Sequence, residues 1–188
     1  MLNVFLSLLL VCLTGCGAGE PAARVVRPQG TVQVKAAPQA TYQPAKDQDP
    51  IATGGAIKTG ASSSANLLIV DRGEITIQAD SSFEVGTGEQ LGAQTQGTVF
   101  YRIRKGNGKV TVDTPHGVTA VLGTTFRLLV TARATTITVE EGRVGFTAKS
   151  GGEQRVIEAG KELAIDAAGG IVPIDPLPEL NPGLLHPK

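Results

Sequence analysis

The stretch "TPHGVTAVLGTTF", residues 114–126, is where this sequence comes closest to a catalytic arrangement. His116 has Asp113 three residues before it and hydroxyl side chains around it, the residue types of a nucleophile, its base and an orienting acid. Asp113, Thr114, Pro115 and Gly117 are equally the residues of a turn, where short polar side chains bond their own backbone. The pattern therefore predicts a β corner, with His116 exposed or bonded to backbone. His186 stands beside Pro187 at the C-terminus, a poor place for a fixed catalytic geometry.

Other candidates carry less. "ASSSA", residues 61–65, lacks the glycines that flank the serine of a nucleophile elbow and reads as a polar turn before Leu67. "TGGAIKTG", "GTGEQLG" and "KGNGK" are glycine-rich, but none leads with Lys-Ser/Thr into a helix, so the aligned N–H groups of a phosphate loop are not expected. Asp47 and Asp49 flank Gln48 without the rest of a calcium loop, and neither a cysteine pair nor a spaced histidine pair is present. No catalytic residue, metal site or cofactor is expected. Glu140-Glu141 with Arg143, and Arg102, Arg104 and Lys105 with Lys109, read as solvated charge at strand ends, or as a polar binding surface where several arcs align.

The elements that would position these residues are strands. Ile75, Ile77 and Ala79 alternate with Glu74, Thr76 and Gln78, and Ile137 and Val139 alternate with Thr136, Thr138 and Glu140. A period of two places one face on a core and one in water. Further strands are expected near 31–36, 66–70, 82–86, 98–104, 109–113, 117–122, 124–131, 143–148, 154–158 and 161–166, with Phe126 and Phe146 in core registers. The connectors "VDRGEI", "IRKGNGKV", "VEEGRV" and "IEAGKEL" place glycine where a tight turn needs positive φ. Residues 86–97 read as a flexible flap. The expected fold is all-β, of stacked short antiparallel strands, either β-solenoid-like or a rolled β-sandwich.

Acidic and basic side chains balance at 17 each, so no global field favours nucleic acid as a partner. The chain opens with the apolar run "MLNVFLSLLLVCLTGC", too short for a comfortable membrane span and suited to export. Leu13-Thr14-Gly15-Cys16 resembles a bacterial lipobox, which implies cleavage after a signal peptide at 1–15 and lipidation of Cys16. Gly17, in place of aspartate after that cysteine, implies by the same resemblance the periplasmic side of the outer membrane in a Gram-negative cell. Cys12 and Cys16 are the only cysteines, so no thiol is left for the domain itself. Residues 16–28 read as a tether, 29–168 as the β domain and 169–188 as a proline-rich tail whose apolar residues favour packing of at least its first half.

The order of short motifs resembles the FecR domain family. The matching positions are Thr59-Gly60, Asp71 and Gly73 in a strand-turn-strand, Thr114-Pro115, Gly123-Thr124-Thr125-Phe126, a hairpin around Gly142, and the turn at Gly160. The resemblance implies an exported module of twisted, stacked strands. In its signalling members that module belongs to an anti-sigma factor spanning the inner membrane, which relays siderophore uptake from an outer-membrane transporter. This sequence shows no sigma-binding region ahead of a transmembrane helix, so direct sigma-factor control is not expected. The expectation is a non-enzymatic, lipid-anchored envelope module that binds or scaffolds a protein partner. A cell-wall polysaccharide is the alternative ligand, and an iron-linked signal relay the third reading.

Overall fold

The computed structural model describes residues 21–174 except 107 and 153. Among the described residues there is no helix, and no helix long and apolar enough to cross a membrane. The first eight strands are β1 (Ala23–Gln29), β2 (Val32–Lys35), β3 (Gln43–Pro44), β4 (Pro50–Ile51), β5 (Ala56–Thr59), β6 (Ser64–Ile69), β7 (Gly73–Ile77) and β8 (Ser82–Val85). The second eight are β9 (Gln90–Ile103), β10 (Val110–Asp113), β11 (Gly117–Val121), β12 (Thr125–Val130), β13 (Thr135–Glu141), β14 (Arg143–Ala148), β15 (Arg155–Glu158) and β16 (Glu162–Ile165).

They form one continuous sheet that folds over on itself along β9. The C-terminal half of β9 lies between β7 and β12 in a layer ordered β4-β1-β6-β7-β9-β12-β13-β16. Its N-terminal half lies between β8 and β10 in a layer ordered β3-β2-β5-β8-β9-β10-β11-β14-β15. Aliphatic residues of both layers, such as Leu67, Ile75 and Ile137 against Ile57, Val112 and Val144, share one buried core. The rolled β-sandwich expected from the alternation is thus present. All pairings are antiparallel except β9 with β10, which is parallel and makes the sheet mixed.

The chain passes repeatedly between layers, and hydroxyls bind the crossings together. Thr59 at the end of β5 donates to the carbonyl of Gln78 (2.5 Å) and accepts from the Ser81 amide (3.0 Å). Ser81 accepts from the Thr98 amide at 2.9 Å, which ties these corners to the bend of β9. At that bend Gly97 has φ +82°, and a Cβ there would lie 2.1 Å from Ser81 Oγ, so glycine is required.

Two expectations are corrected. Residues 21–28 are not a tether: Ala23 and Val25 are fully buried in β1, which pairs with β6 and β4. Pro28 disguised this strand, and it is tolerated because the pairing with β6 shifts register between Val26 and Gln29, where Arg27 adopts φ 50° and its amide bonds Asp47 Oδ1 instead. Nor are residues 86–97 a flap, since β9 begins at Gln90 and buries Leu91 and Gln94. Neighbours on both sides impose that strand on a stretch with few β-branched residues. At the other end, Ile171 bridges Ile165 and the Val172 amide bonds the Ala164 carbonyl, so the start of the tail packs along β16. The leader with Cys16, His186 and the tail beyond residue 174 lie outside the described residues.

Candidate functional site

The corner around His116 forms where expected, between β10 and β11, but the imidazole is buried. Its Nδ1 lies 3.1 Å from the Thr135 hydroxyl, Thr135 donates to Thr114 Oγ1 at 2.9 Å, and Thr114 donates to the Gly117 carbonyl at 2.9 Å. A carbonyl only accepts, so the proton order of the chain is set from that end. Thr114 spends its hydrogen on Gly117 and Thr135 spends its own on Thr114, which leaves His116 Nδ1 as the donor to Thr135. The ring therefore cannot take a proton from Thr135 through Nδ1, as a base activating a nucleophile would. Asp113 is engaged elsewhere, accepting from Gln90 Nε2. Thr114 Oγ1 also accepts from the amides of His116 (3.3 Å) and Gly117 (3.1 Å), so it closes the turn. The side chain missed being solvent-exposed because β13 supplies Thr135, a contact 19 residues away that turn chemistry does not reveal.

This chain of bonds carries a prediction. Thr135→Val keeps the shape but strands His116 Nδ1 and removes a donor to Thr114, and should cost about 1–3 kcal/mol. Thr135→Ser should retain most of the stability. Urea unfolding of the two variants checks the difference.

The other motif positions are architectural. Gly60 donates its amide to the Thr31 carbonyl (2.9 Å) at a layer crossing. Gly73, at φ +144°, sits so close to β9 that a Cβ would meet the Arg102 carbonyl at 2.1 Å, and Asp71 in the preceding turn has φ 56°. Gly123, Gly142 and Gly160 all take positive φ at turns. Thr124 is buried and donates to the Arg143 carbonyl (3.2 Å), Phe126 is fully buried, and Pro115 is exposed at the tip of its turn. Ser63, from the serine run, accepts from the Thr31 amide (2.9 Å) and donates to the Ala61 carbonyl (2.9 Å). No three metal-ligating side chains cluster among the described residues.

Three surface grooves are present among the described residues, one of them, of about 540 Å³, between residues 151, 152 and 154–156 and the end of β16 with residues 168–169. A second, of about 450 Å³ between the β6–β7 turn and residues 85–91, is crossed by Arg72, which bonds the Gly88 carbonyl at 3.0 Å. The third, of about 560 Å³, lies on the outer face of the second layer. Pairing aligns Ala120 of β11, Gly145 of β14 and Val156 of β15 in one row across its floor. Of the lining residues Leu122 and Val156 are 70% and 59% exposed, and Lys109 and Arg143 add the charged side chains. Leu122 ends an apolar run but shares the outward parity of Ala120, so the period of two turns it away from the core.

Aromatic side chains, by contrast, are not displayed among the described residues. Phe83, Tyr101, Phe126 and Phe146 are buried, and half-buried Tyr42 and Phe100 are each faced by a cation, Lys58 at 4.5 Å and Arg127 at 5.8 Å.

With this architecture in view, comparison with known proteins is direct. Residues 55–145 match the family described as FecR protein. The matched range begins just before Thr59-Gly60 and ends within β14, so it contains every motif position named above except Gly160. Two crystal structures of a "putative anti-sigma factor" from Parabacteroides distasonis, at 1.65 and 2.50 Å, share the fold with a TM-score of 0.53 and 15% identity. The similarity covers 62% of this chain and 57% of that one, so the chain spans little more than half the length of the protein it resembles. No curated protein matches the chain in sequence.

Proposed function

We propose that this FecR domain is a non-enzymatic protein-binding module of the cell envelope, held at a membrane by lipid on Cys16. The observation that carries the binding role is the groove of exposed Leu122 and Val156 beside the edge strand β15, which among the described residues pairs with β14 alone, so that apolar surface and an edge backbone lie together on one side of the sandwich. The FecR match and the shared fold with a protein described as an anti-sigma factor support a place in envelope signalling. The His116 chain, with Nδ1 donating, supports a role without acyl-transfer chemistry. A glycan ligand finds less support, because the described aromatics are buried or covered by cations and offer no platform for a sugar ring.

Two experiments test the reading. Cys16→Ala should move the protein from the membrane to the soluble fraction, because the acyl chains contribute about 0.8 kcal/mol per buried CH₂. Continued sedimentation with membranes would contradict the anchor. For the binding role, a photo-crosslinking residue on the surface of the full chain in its native cells should trap a protein. Recovery on intact cell wall with no protein trapped would support the glycan instead.

A further inference from the structure

We propose that the groove beside β15 receives an extended, acidic and apolar peptide segment of the partner, which adds to β15 as a further strand. This rests on the protein-binding reading and specifies its surface and ligand chemistry. The edge is available by register. Ala159 donates to the Gly142 carbonyl at 3.1 Å, so the residue pairs 142/159, 144/157 and 146/155 exchange the ladder bonds between β14 and β15. Val156 lies between them, and its N–H and C=O point away from β14. Among the described residues, no strand lies beyond β15 in its layer. An incoming strand can therefore bond Val156 at both its amide and its carbonyl.

The groove continues that edge inward and supplies selectivity. A partner side chain next to Val156 meets exposed aliphatic surface, and beyond it the small Ala120 leaves room above the sheet, whereas the space over Gly145 is taken by the Gln154 side chain. Gln154 lies against Gly145, its amide 2.5 Å from where a Cβ would stand, and presents polar atoms to a peptide. The ionisable residues lining the groove are Lys109 and Arg143. The ion pairs among the described residues, Lys105 with Glu141 and Arg127 with Glu162, involve neither of them. Glu158 stands opposite Arg143 across the strands without closing to an ion pair, while Arg155, of opposite parity to Val156, lies outside the groove and donates to the Gly169 carbonyl at 3.2 Å. In a chain of balanced charge this local excess of positive groups favours carboxylates on the ligand.

The test titrates two synthetic hexapeptides, one alternating glutamate with leucine and one alternating lysine with leucine, into isotope-labelled full chain. The glutamate peptide is expected to shift the amides of Leu122, Arg143, Val156 and Glu158 and to bind about tenfold more tightly than the lysine peptide. Lys109→Glu with Arg143→Glu, both exposed side chains, should leave the unfolding midpoint unchanged and reverse the preference. Equal binding of the two peptides, shifts centred on other residues, or dimerisation of the chain through β15 would overturn the proposal. Photo-crosslinkers at positions 156 and 68, on opposite layers, separate this from the broader reading. A protein trapped from 156 and lost in the charge-reversed variant agrees with it. Trapping from 68 alone overturns the groove and leaves protein binding standing, whereas trapping from neither position overturns both.

Discussion

Phe126→Ala is expected to remove about 3–5 kcal/mol, a large share of the roughly 5–15 kcal/mol that holds a domain folded. Phe126 lies fully buried in β12, which pairs with β9 on one side and β13 on the other. Its ring stacks on Tyr101 with centroids 4.7 Å apart and planes 7° from parallel, and Tyr101 in turn meets Phe83 of the opposite layer edge-on at 6.3 Å. Truncation therefore opens a cavity at the seam between layers and removes a ring contact beyond simple burial. Strands fixed on both sides cannot collapse into the space, so the cost should sit toward the upper end. Thermal unfolding followed by circular dichroism should show the midpoint falling by roughly 6–20 °C for a domain of this size. Phe126→Leu keeps most of the volume and should lose less. A drop of only a degree or two for the alanine variant would contradict the central position assigned to this ring.

Where side chains alternate and glycines punctuate, the strands could be read directly. β6 to β8 and β10 to β16 fall within a residue or two of their expected ranges, because each has an apolar face with period two and a turn that tolerates positive φ. The strands that escaped lack that pattern. β3 and β4 are two-residue pairings that each contain a proline, and β1 hides Pro28 in a bulge. The front half of β9, "QLGAQTQ", is a strand because β8 and β10 hold it from both sides, information that exists only after the chain has folded. The groove was illegible for a related reason. Lys109, Leu122, Arg143 and Val156 come from separate strands or turns, and only the registers of β10, β11, β14 and β15 make them neighbours. His116 shows the division in a single residue: its turn is local and was readable, while its burial depends on Thr135.

Gln94→Leu is expected to cost roughly 2–4 kcal/mol, although leucine matches glutamine in size and suits an apolar interior, because buried polar partners are left stranded. Gln94 is fully buried where β9 passes from one layer to the other. Its Oε1 accepts from the Tyr101 hydroxyl at 2.8 Å, and its Nε2 donates to the carbonyls of Gly97 (2.7 Å) and Leu128 (3.2 Å). One amide thus joins the two halves of β9 to β12, across the core. Tyr101→Phe alone should also destabilise, by leaving Oε1 without its donor. The double variant should lose less than the sum of the two, with a coupling of about 1 kcal/mol or more. Burial pushes the Tyr101 phenol well above its ordinary range, and this gives an independent reading in alkali. The folded protein keeps a proton that the unfolded chain releases near pH 10, so the contribution of Tyr101 is intact below that pH and is lost as pH rises above it. Alkaline unfolding curves should therefore fall less steeply above about pH 10 for Tyr101→Phe than for the parent. Strictly additive losses in the double variant would show that the Gln94–Tyr101 bond does not hold the two layers together, and identical alkaline curves would contradict the burial of the Tyr101 phenol.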